Sequence, residues 1–415
     1  MAKQALLALA AVFVLGSAIP VHAQGRGQQV QLPEGTGKDT VQKVCTTCHA
    51  LNMLTNSGGF TRQGWEELLS SMVALPTDQV ATLVDYLAKN FPEQPHPSAV
   101  LVPGSTTVSI KEWVVPSLGS RPHDPLAGPD GSIWWSGMFA NVLGRLDPAT
   151  GTMKEYPLKT PQSGPHGLVF DKAGNIWFTA NSKTYIGKLD PKTGNVTEYP
   201  LNNPDARGPH TPKFDQDGIL WFTLQSSMVG RLNPATGEMK LVSTPSQNSY
   251  PYGMVVNSKG VPFYADFRGN RVGTINPQTM EIREFALPDP AARPRRIAAT
   301  PDDALWYTDY ARGFLGRLDP KTGAVREWRS PGGADSQPYG ITAIGDVLWY
   351  SESGVRPNTL VRFDSKTEKY QTWTIPSGGG VIRNMMATAN GNLVLACSGR
   401  NRVALVQIKD GNRSQ

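Results

Sequence analysis

Cys45-Thr46-Thr47-Cys48-His49 sets two thiols two residues apart and an imidazole immediately after them. Thiols at that spacing can each add to a vinyl group of haem, and the adjacent imidazole then lies against the iron. The run therefore reads as a c-type haem attachment site, with Cys45 and Cys48 as the covalent anchors and haem c as the cofactor. A redox dithiol would need a thioredoxin-like strand–helix context, and a zinc site would need two more ligands nearby. Haem iron held in this way commonly takes a Met sulfur as its second axial ligand. Met53 stands four residues past His49, on the same helical face, which puts it on the proximal side. Met72 is better placed, at the loop-side end of an amphipathic segment over 62–74 that carries Trp65, Leu68 and Leu69. His49 and Met72 are the expected iron ligands.

A second set of reactive side chains recurs at long intervals. Residues Pro122, Pro165, Pro209, Pro251, Pro294, Pro338 and Ile382 are spaced by 43, 44, 42, 43, 44 and 44 residues. The residue after each is His123, His166, His210, Tyr252, Arg295, Tyr339 and Arg383 in turn. Three imidazoles facing two Arg and two Tyr suit general-base chemistry, binding of a divalent metal, or capture of an anionic ligand. Asp124 adjoins His123, and Asp309 ends an aromatic strand; either is placed to orient an imidazole.

The elements that position these residues follow from the repeat. Each period holds an apolar strand, an aromatic strand, a strand of the form Ile-Gly-Lys-Leu-Asp-Pro and a strand of the form Glu-Tyr-Pro-Leu. Four short strands in about 43 residues describe a propeller blade, and seven periods give a seven-bladed, all-β propeller over 106–409. The seventh period lacks a fourth strand, so a strand at 106–116 (Val108-Ser-Ile-Lys-Glu-Trp) is expected to close the last blade and hide its edge. The innermost strands border the central channel, which places the seven residues above at one mouth. Ahead of the propeller, 30–92 reads as a small all-α domain, with a break at Pro76 and a second helix over 78–90. The Pro-rich stretch 93–105 reads as a semi-rigid linker containing a solvated His96.

Composition narrows the functional classes. Gly and Pro are abundant, at 42 and 34 of 415 residues, which fits tight turns rather than long helices. The net charge of +6 is scattered, with no basic run, so no nucleic-acid partner is expected. Lys3, the apolar Ala5–Leu15 and Val21-His22-Ala23 form a signal peptide over 1–23, which implies export to the periplasm and leaves no transmembrane helix in the mature chain. Three cysteines are too few for a disulfide framework, and Cys397 reads as a small buried hydrophobe.

Two resemblances add to this reading. The Val44–His49 run, the Gly64-Trp65 helix with Met72 and the Val84-Asp-Tyr-Leu-Ala-Lys-Asn-Phe helix resemble the class I cytochrome c domain, which implies single-electron transfer to a redox partner protein. Pro-His-Gly, Ile-Trp-Phe-Thr, Ile-Gly-Lys-Leu and Glu-Tyr-Pro-Leu are similar to the virginiamycin B lyase family across all seven repeats. That resemblance implies opening of a streptogramin lactone by elimination with Mg²⁺, using Pro-His histidines and two Glu. His123, His166 and His210 match the histidines. The acids are not matched: Gly164 and Gly208 precede the second and third Pro-His, and Asn181 and Gln225 stand four past Trp177 and Trp221. The resulting expectation is an exported haem protein in electron transfer whose propeller binds a small molecule or partner and oxidises it. The alternative is a carbon–oxygen lyase with the cytochrome as an accessory domain.

Overall fold

The computed structural model describes residues 30–47 and 50–409. Cys48, His49 and the expected signal peptide lie outside the described residues.

From Thr107 onward the chain forms seven four-stranded antiparallel sheets. Six are built from consecutive strands, beginning with Pro122–Ala127, Ile133–Gly137, Val142–Leu146 and Met153–Pro157. The seventh joins Ile382–Ala387, Leu393–Cys397 and Arg402–Lys409 to Thr107–Val114 as its outer strand. Eight residue pairs link that closing strand to the last one, from Thr107–Lys409 to Val114–Arg402, so both ends of the ring are tied into one ladder. Closure by the upstream strand is as the repeat predicts.

The repeat residues have identifiable packing reasons. In five blades an aromatic of the second strand lies opposite the Gly of the third: Trp135 on Gly144, Phe178 on Gly187, Phe222 on Gly230, Tyr264 on Gly273 and Tyr307 on Gly316. A Cβ at Gly187 would stand 2.1 Å from the Phe178 ring, so only glycine lets the ring lie flat on the strand. The Trp that precedes this aromatic packs toward the neighbouring blade; Trp177 joins Leu220, Phe222 and Leu232 in one cluster. Asp171 caps the hairpin and accepts the Trp177 indole N–H at 2.9 Å, which satisfies the only polar atom of that buried ring.

The N-terminal unit holds four helices: α1 (Lys38–Cys45), α2 (Asn52–Thr55), α3 (Arg62–Met72) and α4 (Thr77–Asn90). Thr61 caps α3 by accepting the Gly64 N–H at 3.1 Å. The helix ends at Met72, two residues earlier than the apolar pattern suggests, because Val73 turns extended ahead of Pro76. Trp65, Leu68 and Leu69 of α3 pack on Leu83, Val84 and Leu87 of α4, with Cys45 and Met72 half-buried against the same cluster. These helices do not by themselves establish a cytochrome c fold.

The stretch 93–105 is not a free spacer. Thr372 N–H donates to Val102 O at 3.0 Å and Val102 N–H donates to Thr372 Oγ1 at 2.7 Å, so the segment lies along the sixth blade. His96 is likewise held, between Pro97 O and Glu93, rather than solvated. Among the described residues no helix is long and apolar enough to cross a membrane.

Candidate active site at the channel mouth

Strict alternation along a strand would send two consecutive residues to opposite faces. Every innermost strand breaks that rule at its start. Pro122 pairs with Gly137 but Pro125 pairs with Trp135, three residues against two, and the same register shift recurs in all seven blades. Such a bulge re-aims the local side chains, so the residue after each expected ring residue also turns toward the channel. Sequence periodicity alone did not reveal this second layer, which contains Asp124, Thr211, Arg296 and Asn384. The signal that could have found it is the position itself, one past each ring residue.

A belt of hydroxyls holds the bulges. Thr223 Oγ1 accepts the Thr211 N–H at 3.1 Å and donates to the Tyr252 carbonyl of the next blade at 2.7 Å. Ser136, Thr179, Thr308 and Ser351 make equivalent pairs of bonds, for example Ser136 to Asp124 N–H at 3.0 Å and to His166 O at 2.6 Å. Four blades thereby fix the carbonyl of the next blade's ring residue, and Ser351 fixes that of Ile382, just before Arg383.

The upper layer assembles as expected. The His123, His166 and His210 rings follow one another at centroid distances of 3.6 and 3.9 Å, tilted by 42° and 46°, and Tyr252 continues the row at 3.8 Å from His210. Tyr252 and Tyr339 share a phenol–phenol hydrogen bond. Arg295 is boxed by aromatic rings, 3.7 Å from the Tyr339 centroid and 4.2 Å from that of Tyr310.

Asp124 is the hub of the lower layer. It receives Arg296 Nη2 at 2.8 Å, Asn384 Nδ2 at 2.9 Å and His123 Nδ1 at 2.9 Å. A proton on Nδ1 leaves the lone pair of His123 on Nε2, the tautomer a base requires. Asp309, the other acid expected to orient an imidazole, instead accepts Arg293 N–H at 3.0 Å and lies against Arg312, so it orients none.

Burial pushes all three histidines well below the ordinary imidazole value, and nearby Arg383 and Arg296 add to the effect at His123. The three rings are therefore neutral. Burial raises Tyr339, but the Arg295 and Arg383 guanidiniums outweigh it and bring the phenol down, while burial takes its partner Tyr252 up. His166 Nδ1 and His210 Nε2 are buried without a hydrogen-bond partner among the described residues.

Ligand atoms of His123, Asp124 and His166 lie within 4.8 Å of one another, the one cluster among the described residues close enough to share a cation. Its charge balance is unfavourable to Mg²⁺, which prefers carboxylate and water oxygens. Asp124 is already paired with Arg296. At the positions where the resemblance calls for acids, Asn181 donates to Gln225 Oε1 at 3.2 Å. The residues present do not fit a magnesium site of the implied kind.

Residues 104–350 match the virginiamycin B lyase family. The chain belongs to that family. Among solved structures, the virginiamycin B lyase of Staphylococcus aureus is 25% identical, with a TM-score of 0.66 over 72% of this chain and 99% of that one. A streptogramin B lyase structure is 26% identical, with a TM-score of 0.67 over 73% of this chain and 98% of that one. No curated protein matches the sequence. The family match lies within the propeller, ending in the sixth blade, and does not include the helices that carry Cys45 and Met72.

Proposed function

We propose that the channel mouth is the reaction centre of a carbon–oxygen lyase-type enzyme acting on a small carbonyl compound. The observation that carries this reading is the close array of three neutral imidazoles beside guanidinium groups, on a propeller of the lyase family. His123, with Nδ1 committed to Asp124, offers Nε2 to take a proton from the carbon next to the carbonyl. Arg383 and Arg295 offer positive charge to the enolate oxygen, the part that a metal ion plays when one is used. The electron pair of the broken C–H bond forms the C=C bond, and the C–O bonding pair leaves with the oxygen. His166 and His210 are the further candidates for returning a proton to that oxygen.

The test is direct. Incubate the full chain with quinupristin and with simpler cyclic esters, and follow the product by mass and ultraviolet absorbance. Elimination leaves the mass unchanged and creates a conjugated double bond, whereas hydrolysis adds one water. His123→Ala is expected to lose at least ~100-fold in turnover. No new absorbance with any ester, or full activity in His123→Ala, overturns the reading.

A second reading rests on the Cys45–His49 spacing together with where the helices sit. Ser71 O, next to Met72, accepts the Gly119 N–H at 2.9 Å, two residues before Arg121 at the mouth. In this reading Cys45 and Cys48 hold haem c, His49 and Met72 bind its iron, and the propeller presents a substrate or partner in the periplasm. The haem would supply one-electron transfer to a redox partner. Protein made in a host competent for cytochrome maturation should then be coloured. His49→Ala should lose the low-spin spectrum and Met72→Ala should lower the potential. A substrate that reduces the haem favours this reading, and one converted with the spectrum untouched favours the lyase. Metal analysis of the same sample tests a divalent ion on His123, Asp124 and His166.

A further inference from the structure

Three guanidiniums at the mouth have no carboxylate partner among the described residues. Arg121 lies over the Phe139 ring at 4.6 Å, and no acid reaches its side chain. Arg295 touches only aromatic rings and the Tyr252 hydroxyl, at 3.4 Å, and its Nε is buried without a partner. Among the described residues Arg383 makes no side-chain hydrogen bond and no ion pair, and its Nε is also buried and unsatisfied. The fourth, Arg296, is paired with Asp124 at 2.8 Å, so that carboxylate is not free to balance the other three.

Cations seldom gather in a desolvated site without a counter-charge, because burial and mutual repulsion both oppose it. The strain is visible at Arg121, where burial first and Arg383 next bring the guanidinium down to about 9. An anion resting between Arg121, Arg295 and Arg383 would relieve both costs. The walls describe its other half. Phe139, Tyr252, Phe267 and Tyr310 surround the same arginines, whose guanidiniums lie over their rings, so the surroundings of the charges are aromatic and favour an organic body over a bare inorganic ion.

We infer that the channel mouth is built to bind an organic carboxylate, its negative group held by Arg121, Arg295 and Arg383 and its apolar part against the aromatic walls. This rests on the mouth being the ligand site of the proposed function and adds the class of ligand. It also separates this chain's site from one that relies on acids and a metal, since the local charge is reversed.

The probe is benzoate, titrated calorimetrically into the full chain at low ionic strength, with benzamide as the uncharged isostere and inorganic phosphate as the bare anion. Benzoate is expected to bind at least tenfold more tightly than either control. Arg383→Gln, and separately the half-buried rim variant Arg121→Gln, should each weaken benzoate tenfold or more while leaving the thermal midpoint of the free protein near the parent value. Absence of benzoate binding, benzamide binding equally well, phosphate binding equally well, or benzoate affinity unchanged in both variants would each overturn the inference. Binding is read without turnover, so its loss is distinguishable from failure of the lyase reading, which is read in products.

Discussion

His123 can serve as a base only because Asp124 holds its Nδ1 proton, and Asp124 is itself held in the channel by Arg296 and Asn384, which donate to its carboxylate oxygens. Removing that acid strands a buried guanidinium. Asp124→Ala should cost about 3–5 kcal/mol in urea unfolding, far beyond the loss of one ordinary hydrogen bond. The histidines leave a pH signature as well. Their native values are depressed by burial, whereas in the unfolded chain they titrate near ~6.5. Below that pH the unfolded state takes up protons that the native state refuses, so stability falls as the solution is acidified. Each such His steepens the fall by about 1.4 kcal/mol per pH unit. Replacing His210 with Gln should make the slope shallower by about that amount. An unchanged slope would mean that His210 is charged in the native channel.

Strands and helices explain why these side chains stay in place. The Phe178–Gly187 contact lets the second and third strands of a blade approach without a gap, and its Trp177 neighbour seals the seam to the following blade. Gly187→Ala should destabilise by about 1–3 kcal/mol, because a methyl group there must displace a packed ring. A thermal scan of the variant checks this, and a neutral result would show that the ring can tilt aside. The third strand's glycine was legible in the repeat, but its aromatic partner was not, since pairing across strands depends on register. The bulge was also hidden. Ladder registers reveal it, while the Pro that begins most inner strands marks only where the strand starts.

For the molecule as a whole, closure and docking decide what surrounds the mouth. The helical unit rests on the propeller close to Arg121 in sequence, where the Gly119 N–H donates to Ser71 O at 2.9 Å. Arg356 of the sixth blade donates to Ser57 O at 2.7 Å and Gly59 O at 2.9 Å, and its guanidinium lies over Phe60. Arg400 of the seventh blade reaches the same ring from 5.5 Å. Arg356→Ala should loosen this attachment and speed proteolysis within 93–105 severalfold, with the propeller left intact. Unchanged cleavage would place the hold elsewhere, on the Gly119–Ser71 contact and the Val102–Thr372 pair.

Reading residues in order was enough to recover the seven blades, the closing strand, the haem-type spacing and the ring from His123 to Arg383. Those features are periodic or contiguous, and local preferences for strand, turn and glycine report them directly. Asp124 as a hub, its union with Arg296 across 172 positions, and the unpaired charge of Arg121, Arg295 and Arg383 became apparent only when the ring was closed. Charge balance in a channel is a property of distances between blades, and no stretch of chain carries those distances until hydrophobic packing and the last strand bring the blades together.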